Sequence, residues 1–260
     1  MKHEEFVGNA WSDATDLTPA VSRNSGNGRL VCQGEYSYVG SEPAKQANQR
    51  KLDSWRMYAL PDGSYEVEVE MATKRDDPEI VEHHLFTNDF QPKGFTFLVR
   101  PTTPDDEGPF QLDCDYEPNQ IRCRATFNGT TSAATLAQKT LYVFMPIAEV
   151  PVFDCPWFYQ MLVGQAQRSP GVKTSVALVS LKDGETPDSI ALQSHESEQV
   201  EYLGQEKIQV LEQSIVAHKF RTVDSEGSQH FWLSPSGLLL QMQMGDGKII
   251  LSNYQGQELK

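Results

Sequence analysis

The sequence predicts an all-β protein, mainly antiparallel, in which a strongly curved sheet or half-open barrel carries one amphipathic helix on its concave face. Three observations support this. Short runs alternate apolar and polar residues and are rich in β-branched and aromatic side chains, the pattern of half-buried strands. Turn residues punctuate the runs, notably Pro61-Asp62-Gly63, Ser234-Pro235-Ser236-Gly237 and Asp246-Gly247. One segment alone, near 154–167, sets its apolar residues at helical spacing.

Residues 1–28 are polar and rich in Ser, Asn and Gly, and read as an irregular lead-in to a single antiparallel β-domain over 29–260. A first strand is expected from Arg29 to Val39. The hairpin from Asp53 to Met71 sets its own register: a three-residue turn ending at Gly63 pairs Trp55 with Val69, Met57 with Val67 and Ala59 with Tyr65. Its other face then pairs Arg56 with Glu68 and Tyr58 with Glu66, so both faces agree. Glu66, Glu68 and Glu70 read as a solvated face. Two more strands follow, Glu79 to Phe86 and Gly94 to Val99. In the first, His83 and His84 must point to opposite faces.

Phe110 to Tyr116 and Ile121 to Phe127 form a second registered hairpin, with Asp113 opposite Arg124 and Asp115 opposite Arg122. The same register sets Cys114 directly opposite Cys123, where either a disulfide or two packed thiols fit. Asn128-Gly129-Thr130 matches a glycosylation sequon and is more simply a turn. After a strand at Thr140 to Met145, Asp154 caps the helix and Pro156 sits in its first turn. Trp157, Phe158, Met161, Leu162 and Gln165 follow at helical spacing. Strands are then expected at Val172 to Leu181, Ile190 to Gln193 and Glu198 to Leu203.

The closing stretch, Glu201 to Tyr254, reads as a meander. An Asp246-Gly247 turn pairs Met244 with Ile249 and Met242 with Leu251. A loop at 235–237 sets Trp232 opposite Leu240 and His230 opposite Met242. Keeping apolar residues together places Phe220 opposite His230 and His218 opposite Trp232. On that parity His218, His230 and Trp232 share one oily face, as satisfied core groups, polar ligand anchors or an acid and base pair near neutral pH.

Composition excludes several functions. A net charge of −14 over 260 residues opposes nucleic acid or an anionic membrane as partner, since both require a basic footprint. No apolar run is long enough for a transmembrane helix. Nucleotide-binding glycine loops, the Gly-x-Ser-x-Gly elbow and His-Glu-x-x-His are missing, and the four cysteines form no Cys-x-x-Cys pair, so no cofactor or metal is expected. Met1-Lys-His-Glu-Glu carries no hydrophobic signal segment; the protein is cytoplasmic if Met1 is the native start, and periplasmic or extracellular if a leader has been removed.

Gly204-Gln-Glu-Lys-Ile-Gln-Val, Val216-Ala-His-Lys-Phe and His230-Phe-Trp-Leu-Ser-Pro-Ser-Gly-Leu-Leu together resemble the C-terminal part of a group of bacterial β-rich proteins, many of them exported. The match lies mainly in residues 200–255. The resemblance implies a sheet similar to the lipoprotein-carrier half-barrels, curled around an apolar cavity plugged by helix, a shape that also serves a pigment-pathway enzyme. The expected function is binding of a hydrophobic or amphipathic small molecule, with Trp157, Phe158, His218, His230 and Trp232 nearest to it. The alternatives are a cofactor-free isomerase or cyclase using His218 and His230, and a structural or interaction protein.

Overall fold

The computed structural model describes residues 28–40, 50–71, 79–89, 92–100, 109–117, 120–127, 130–137, 142–145, 170–171, 173–182, 191–223, 228–244 and 247–256. Among them every regular element is a strand, and no helix is long and apolar enough to cross a membrane. The helix expected near 154–167, with Trp157 and Phe158, lies outside the described residues.

The strands are β1 (Arg29–Gly40), β2 (Arg50–Ala59), β3 (Tyr65–Met71), β4 (Glu79–Phe86), β5 (Pro92–Arg100), β6 (Phe110–Glu117), β7 (Gln120–Phe127), β8 (Thr130–Ala137), β9 (Tyr142–Met145), β10 (Lys173–Lys182), β11 (Ala191–Val210), β12 (Gln213–Val223), β13 (Ser228–Leu233), β14 (Leu239–Met244) and β15 (Gly247–Gln255). They form one sheet in the order β8-β7-β6-β5-β4-β3-β2-β1-β15-β14-β13-β12-β11-β10-β9. One wing is therefore a run of consecutive strands from β2 to β8, and the other runs back from β15 to β9. β1 pairs with β2 on one side and with β15 on the other, joining the wings at the middle. Neighbours are antiparallel except β9 and β10, which are parallel.

The sheet does not close, since β8 and β9 are its two edges. It does curl. Four inter-strand spacings would hold β11 about 19 Å from β15 in a flat sheet, yet β11 approaches both β15 and the far edge strand β8.

The expected registers of β2 with β3 and of β6 with β7 are observed, including Trp55 opposite Val69 and Cys114 opposite Cys123. Cys114 and Cys123 form a disulfide. The other face of the second hairpin differs in detail: Arg124 meets Asp113 at 3.6 Å, whereas Arg122 pairs with Glu117. Glu68 and Glu70 each lie 2.8 Å from Arg56, but Glu66 is buried and bonded to His83 at 3.1 Å, which corrects the reading of all three as solvated.

The closing meander departs from expectation at one point. Leu233 pairs with Leu239, as a 235–237 loop requires, and Gly237 takes φ 90° in that turn. Leu240 is then an extra residue, so beyond the bulge Trp232 faces Gln241 and Phe231 faces Met242. Across to β12, Phe220 pairs with Phe231 and His218 with Leu233. A one-residue slip exchanges the two faces of a strand, so His218 lies on one face and His230 with Trp232 on the other. The last hairpin also turns one residue earlier than expected: Met242 pairs with Ile249, with parity unchanged.

The buried face spans both wings and packs as two apolar clusters. It runs through Phe95, Phe97 and Leu112, on to Trp55 and Val69, over Tyr36 of β1, and through Leu251, Met242, Phe231 and Phe220 to Tyr202. Close approach is specified by sequence at Gly34, where an added Cβ would come within 2.7 Å of the Trp55 ring and 2.9 Å of the Asn253 carbonyl oxygen. The Tyr36 hydroxyl reaches across β15 and donates to the carbonyl of Leu239, beside the bulge, at 2.8 Å.

The turn between β11 and β12 carries strain. Leu211 and Glu212 both take positive φ, 50° and 62°, between the paired residues Val210 and Gln213. A side chain costs about 1–2 kcal/mol in that conformation, and Asn-Gly is the pair suited to it. The double substitution Leu211→Asn, Glu212→Gly is expected to stabilise the protein by about 1–2 kcal/mol, read as a higher urea midpoint at unchanged slope.

Candidate functional site

The buried face is apolar with two polar interruptions, one in each wing. In the wing of β10 to β15, His218 is buried and its Nδ1 hydrogen-bonds the Tyr202 hydroxyl at 3.1 Å. Their rings lie 5.7 Å apart, and Tyr202 also meets Phe220 at 5.2 Å. Burial pushes the His218 imidazole below its ordinary value, keeping it neutral at pH 7.

His230 and Trp232 occupy the other face. The Trp232 indole donates to Glu206 at 3.1 Å, and Lys219 sits 5.0 Å from the centre of the indole while bonding Glu206 at 2.8 Å. His230 lies 6.3 Å from Trp232, and its imidazole is lowered first by burial and then by the nearby Lys219 and Arg221. Trp232, Lys219 and Glu206 satisfy one another with His230 beside the indole, on the face away from His218.

The second interruption of the buried face lies in the wing of β2 to β8 and was not singled out in the sequence. Glu82 of β4 is fully buried, in the same cross-strand row as Trp55, Val69, Phe97 and Leu112. Its Oε2 accepts from His84 Nε2 at 3.0 Å, whereas Oε1 is buried with no hydrogen-bond partner. The His84 ring tilts against Phe95 at 4.9 Å and stacks near Phe86 at 6.4 Å. Asp53 of β2 shares this face and is partly buried, one row along from Glu82 and opposite Met71. Loss of hydration, and then repulsion from the Glu82 carboxylate, push its carboxyl up to about 7.

Parity was the signal that could have found this group. Asp53 precedes Trp55 and Met57 by even steps, and Glu82 and His84 alternate with Ile80 and Phe86. His83, by contrast, points to the opposite face, to Glu66, as adjacency requires. The free thiol of Cys32 is pushed up to about 12 by burial and lies against Met57 Sδ at 3.9 Å, which makes it a packing group. Among the described residues no three His, Cys, Asp or Glu side chains gather closely enough to hold a metal ion.

No protein-family model matches the chain, and no curated protein matches its sequence. Among solved structures it is similar to a β-barrel-like protein of the domain of unknown function DUF1849 from Brucella abortus. The identity is 14%, the TM-score 0.47, and 89% of this chain and 100% of that one are covered. It is also similar to a DUF1089 family protein from Pseudomonas aeruginosa, with 10% identity, a TM-score of 0.40, and 73% and 88% of the two chains covered. Both neighbours are bacterial, and the functional reading rests on this chain's own residues.

The Asp53 carboxyl gives the site a pH signature. Its folded value lies above the ordinary one near 3.8, so the folded state holds a proton that the unfolded chain has released. Stability from this group is complete below about pH 4 and is lost as pH rises through about 7. Asp53→Asn is expected to flatten that slope and to raise stability at pH 8 by about 3 kcal/mol, measured by urea unfolding across the pH range.

Proposed function

We propose that the protein binds a hydrophobic or amphipathic small molecule on the buried face of its curled sheet, in the manner of a lipoprotein-carrier-like half-barrel. The observation that carries this reading is the buried Glu82 Oε1, an acceptor with no partner on an otherwise apolar wall. A buried polar atom left unpaired costs about 1–3 kcal/mol, and an apolar surface with a few convergent polar groups is the usual form of a small-molecule site. His218 with Tyr202 supplies a second polar anchor on the same face, a neutral pair able to meet a hydroxyl or carbonyl group. Trp157 and Phe158 remain proposed neighbours of the ligand. His230 and Trp232 lie on the other face, and a place for them at the ligand requires the molecule to reach around the sheet.

A second reading, a cofactor-free isomerase or cyclase, is favoured by one observation. Asp53 exchanges its proton near neutrality on the buried face, as a general acid or base must. In this reading Asp53 is the acid and base group, since His218 and His230 lie on opposite faces and do not act together.

Purified protein extracted with organic solvent is expected to release a stoichiometric apolar compound detectable by mass spectrometry. His218→Phe should weaken retention of that compound by about tenfold and leave the fold intact. A protein that releases nothing and takes up no hydrophobic fluorescent probe contradicts the proposal. Turnover of the released compound, abolished by Asp53→Asn with binding unchanged, establishes the enzyme in place of the carrier.

A further inference from the structure

The group around Glu82 says more about the ligand than that it is amphipathic. Four features of the site constrain the chemistry of the polar end. The vacant atom, Oε1, is a carboxylate oxygen, so the group that meets it must donate a hydrogen bond. The other oxygen is already occupied by His84, which fixes the carboxylate in place. A buried carboxylate with a single hydrogen-bond partner is poorly compensated, so the pocket favours positive charge over a neutral donor. Finally, Phe95 backs His84 and Phe97 lies directly opposite Glu82, so aromatic side chains flank the acid.

A divalent metal would satisfy the charge but needs at least three converging donors, and the described residues offer no such group. A quaternary ammonium would satisfy the rings but leave Oε1 without a donor.

We propose that Glu82, held by His84, is the recognition point for a primary ammonium head group, so that the molecule bound on the buried face is a cationic amphiphile with an N–H donor at its polar end. This rests on the binding reading above and specifies its ligand class. The apolar tail then runs from Glu82 along the row of Val69 and Trp55 toward β1 and the other wing.

The test is titration calorimetry of the full chain at pH 7.5 with four ten-carbon probes: decylammonium, decyltrimethylammonium, decanol and decanoate. Decylammonium is expected to bind about tenfold or more tightly than decanol, the gain of a charge-assisted hydrogen bond, and decanoate weakest of all. The quaternary probe controls for general attraction to a chain of net charge −14. It should fall below decylammonium by a similar factor, because it carries the charge without the donor.

Glu82→Gln is expected to bring decylammonium and decanol to within about twofold while leaving decanol binding in place. Equal affinities for decylammonium and decanol, a preference matched by the quaternary probe, or a preference kept in Glu82→Gln each overturn the inference. The three comparisons on the unsubstituted chain stand even if the variant fails to fold. Absence of binding by all four probes sinks the binding reading itself, an outcome distinct from binding without preference for the amine.

Discussion

The pairing of β1 with β15 is the constraint on which the rest of this structure depends. It joins the first described strand to the last across more than two hundred residues of chain, and among the described residues it is the hydrogen-bonded seam between the two wings of the sheet. Tyr36 sits at that seam, opposite Asp53 of one wing and Leu251 of the other, and its hydroxyl fastens to the Leu239 carbonyl two strands away. Because directly opposed residues share a face, this register alone decides that Glu82 and His218 lie on the same side of the sheet. Seam slippage by one residue would leave each wing internally sound and set their apolar sides on opposite faces.

Such a seam is costly to form and valuable once made. Pairings this distant in sequence come late in folding, because the chain between them must be ordered first. The packing around it is correspondingly exact in shape: Gly34 leaves the space that the Trp55 ring fills, and Tyr254 lies beside that ring at 6.2 Å. The two polar interruptions are then tolerated in different ways. Tyr202 and His218 satisfy each other and stay neutral, which is the inexpensive solution for a buried pair. Glu82 is satisfied on one oxygen only, and Asp53 one row along surrenders part of its acidity; this end of the face is kept at a cost to stability. Sites retained against stability are where function is sought first.

How much of this was legible in the sequence depended on whether two independent signals agreed. In β2 with β3 and in β6 with β7, turn chemistry, apolar pairing and charge pairing all chose one register, and the structure keeps it. The closing meander offered turn signals too, but beyond the 235–237 loop only the apolar pattern could set the parity, and Leu238-Leu239-Leu240 destroys it: three consecutive buried leucines show no alternation, so nothing marks the extra residue at Leu240. The bulge moves Trp232 and His230 to the lysine-bearing face and leaves His218 behind. A similar loss of pattern hides β8, whose Thr and Ala residues alternate weakly, and the turn at Leu211-Glu212, which lacks the usual glycine. Asp53, Glu82 and His84 are legible by parity, against the general tendency of charged side chains to face outward.

The most direct test of the account is the sidedness of these rings in solution. In a nuclear Overhauser spectrum of isotopically labelled protein, the His218 ring is expected to contact the Tyr202 ring and the Leu233 methyl groups, and the Tyr36 ring to contact the Leu251 methyl groups. Contacts from His218 to the Trp232 indole, or from Tyr36 to Ile250 in place of Leu251, would contradict the single shared face.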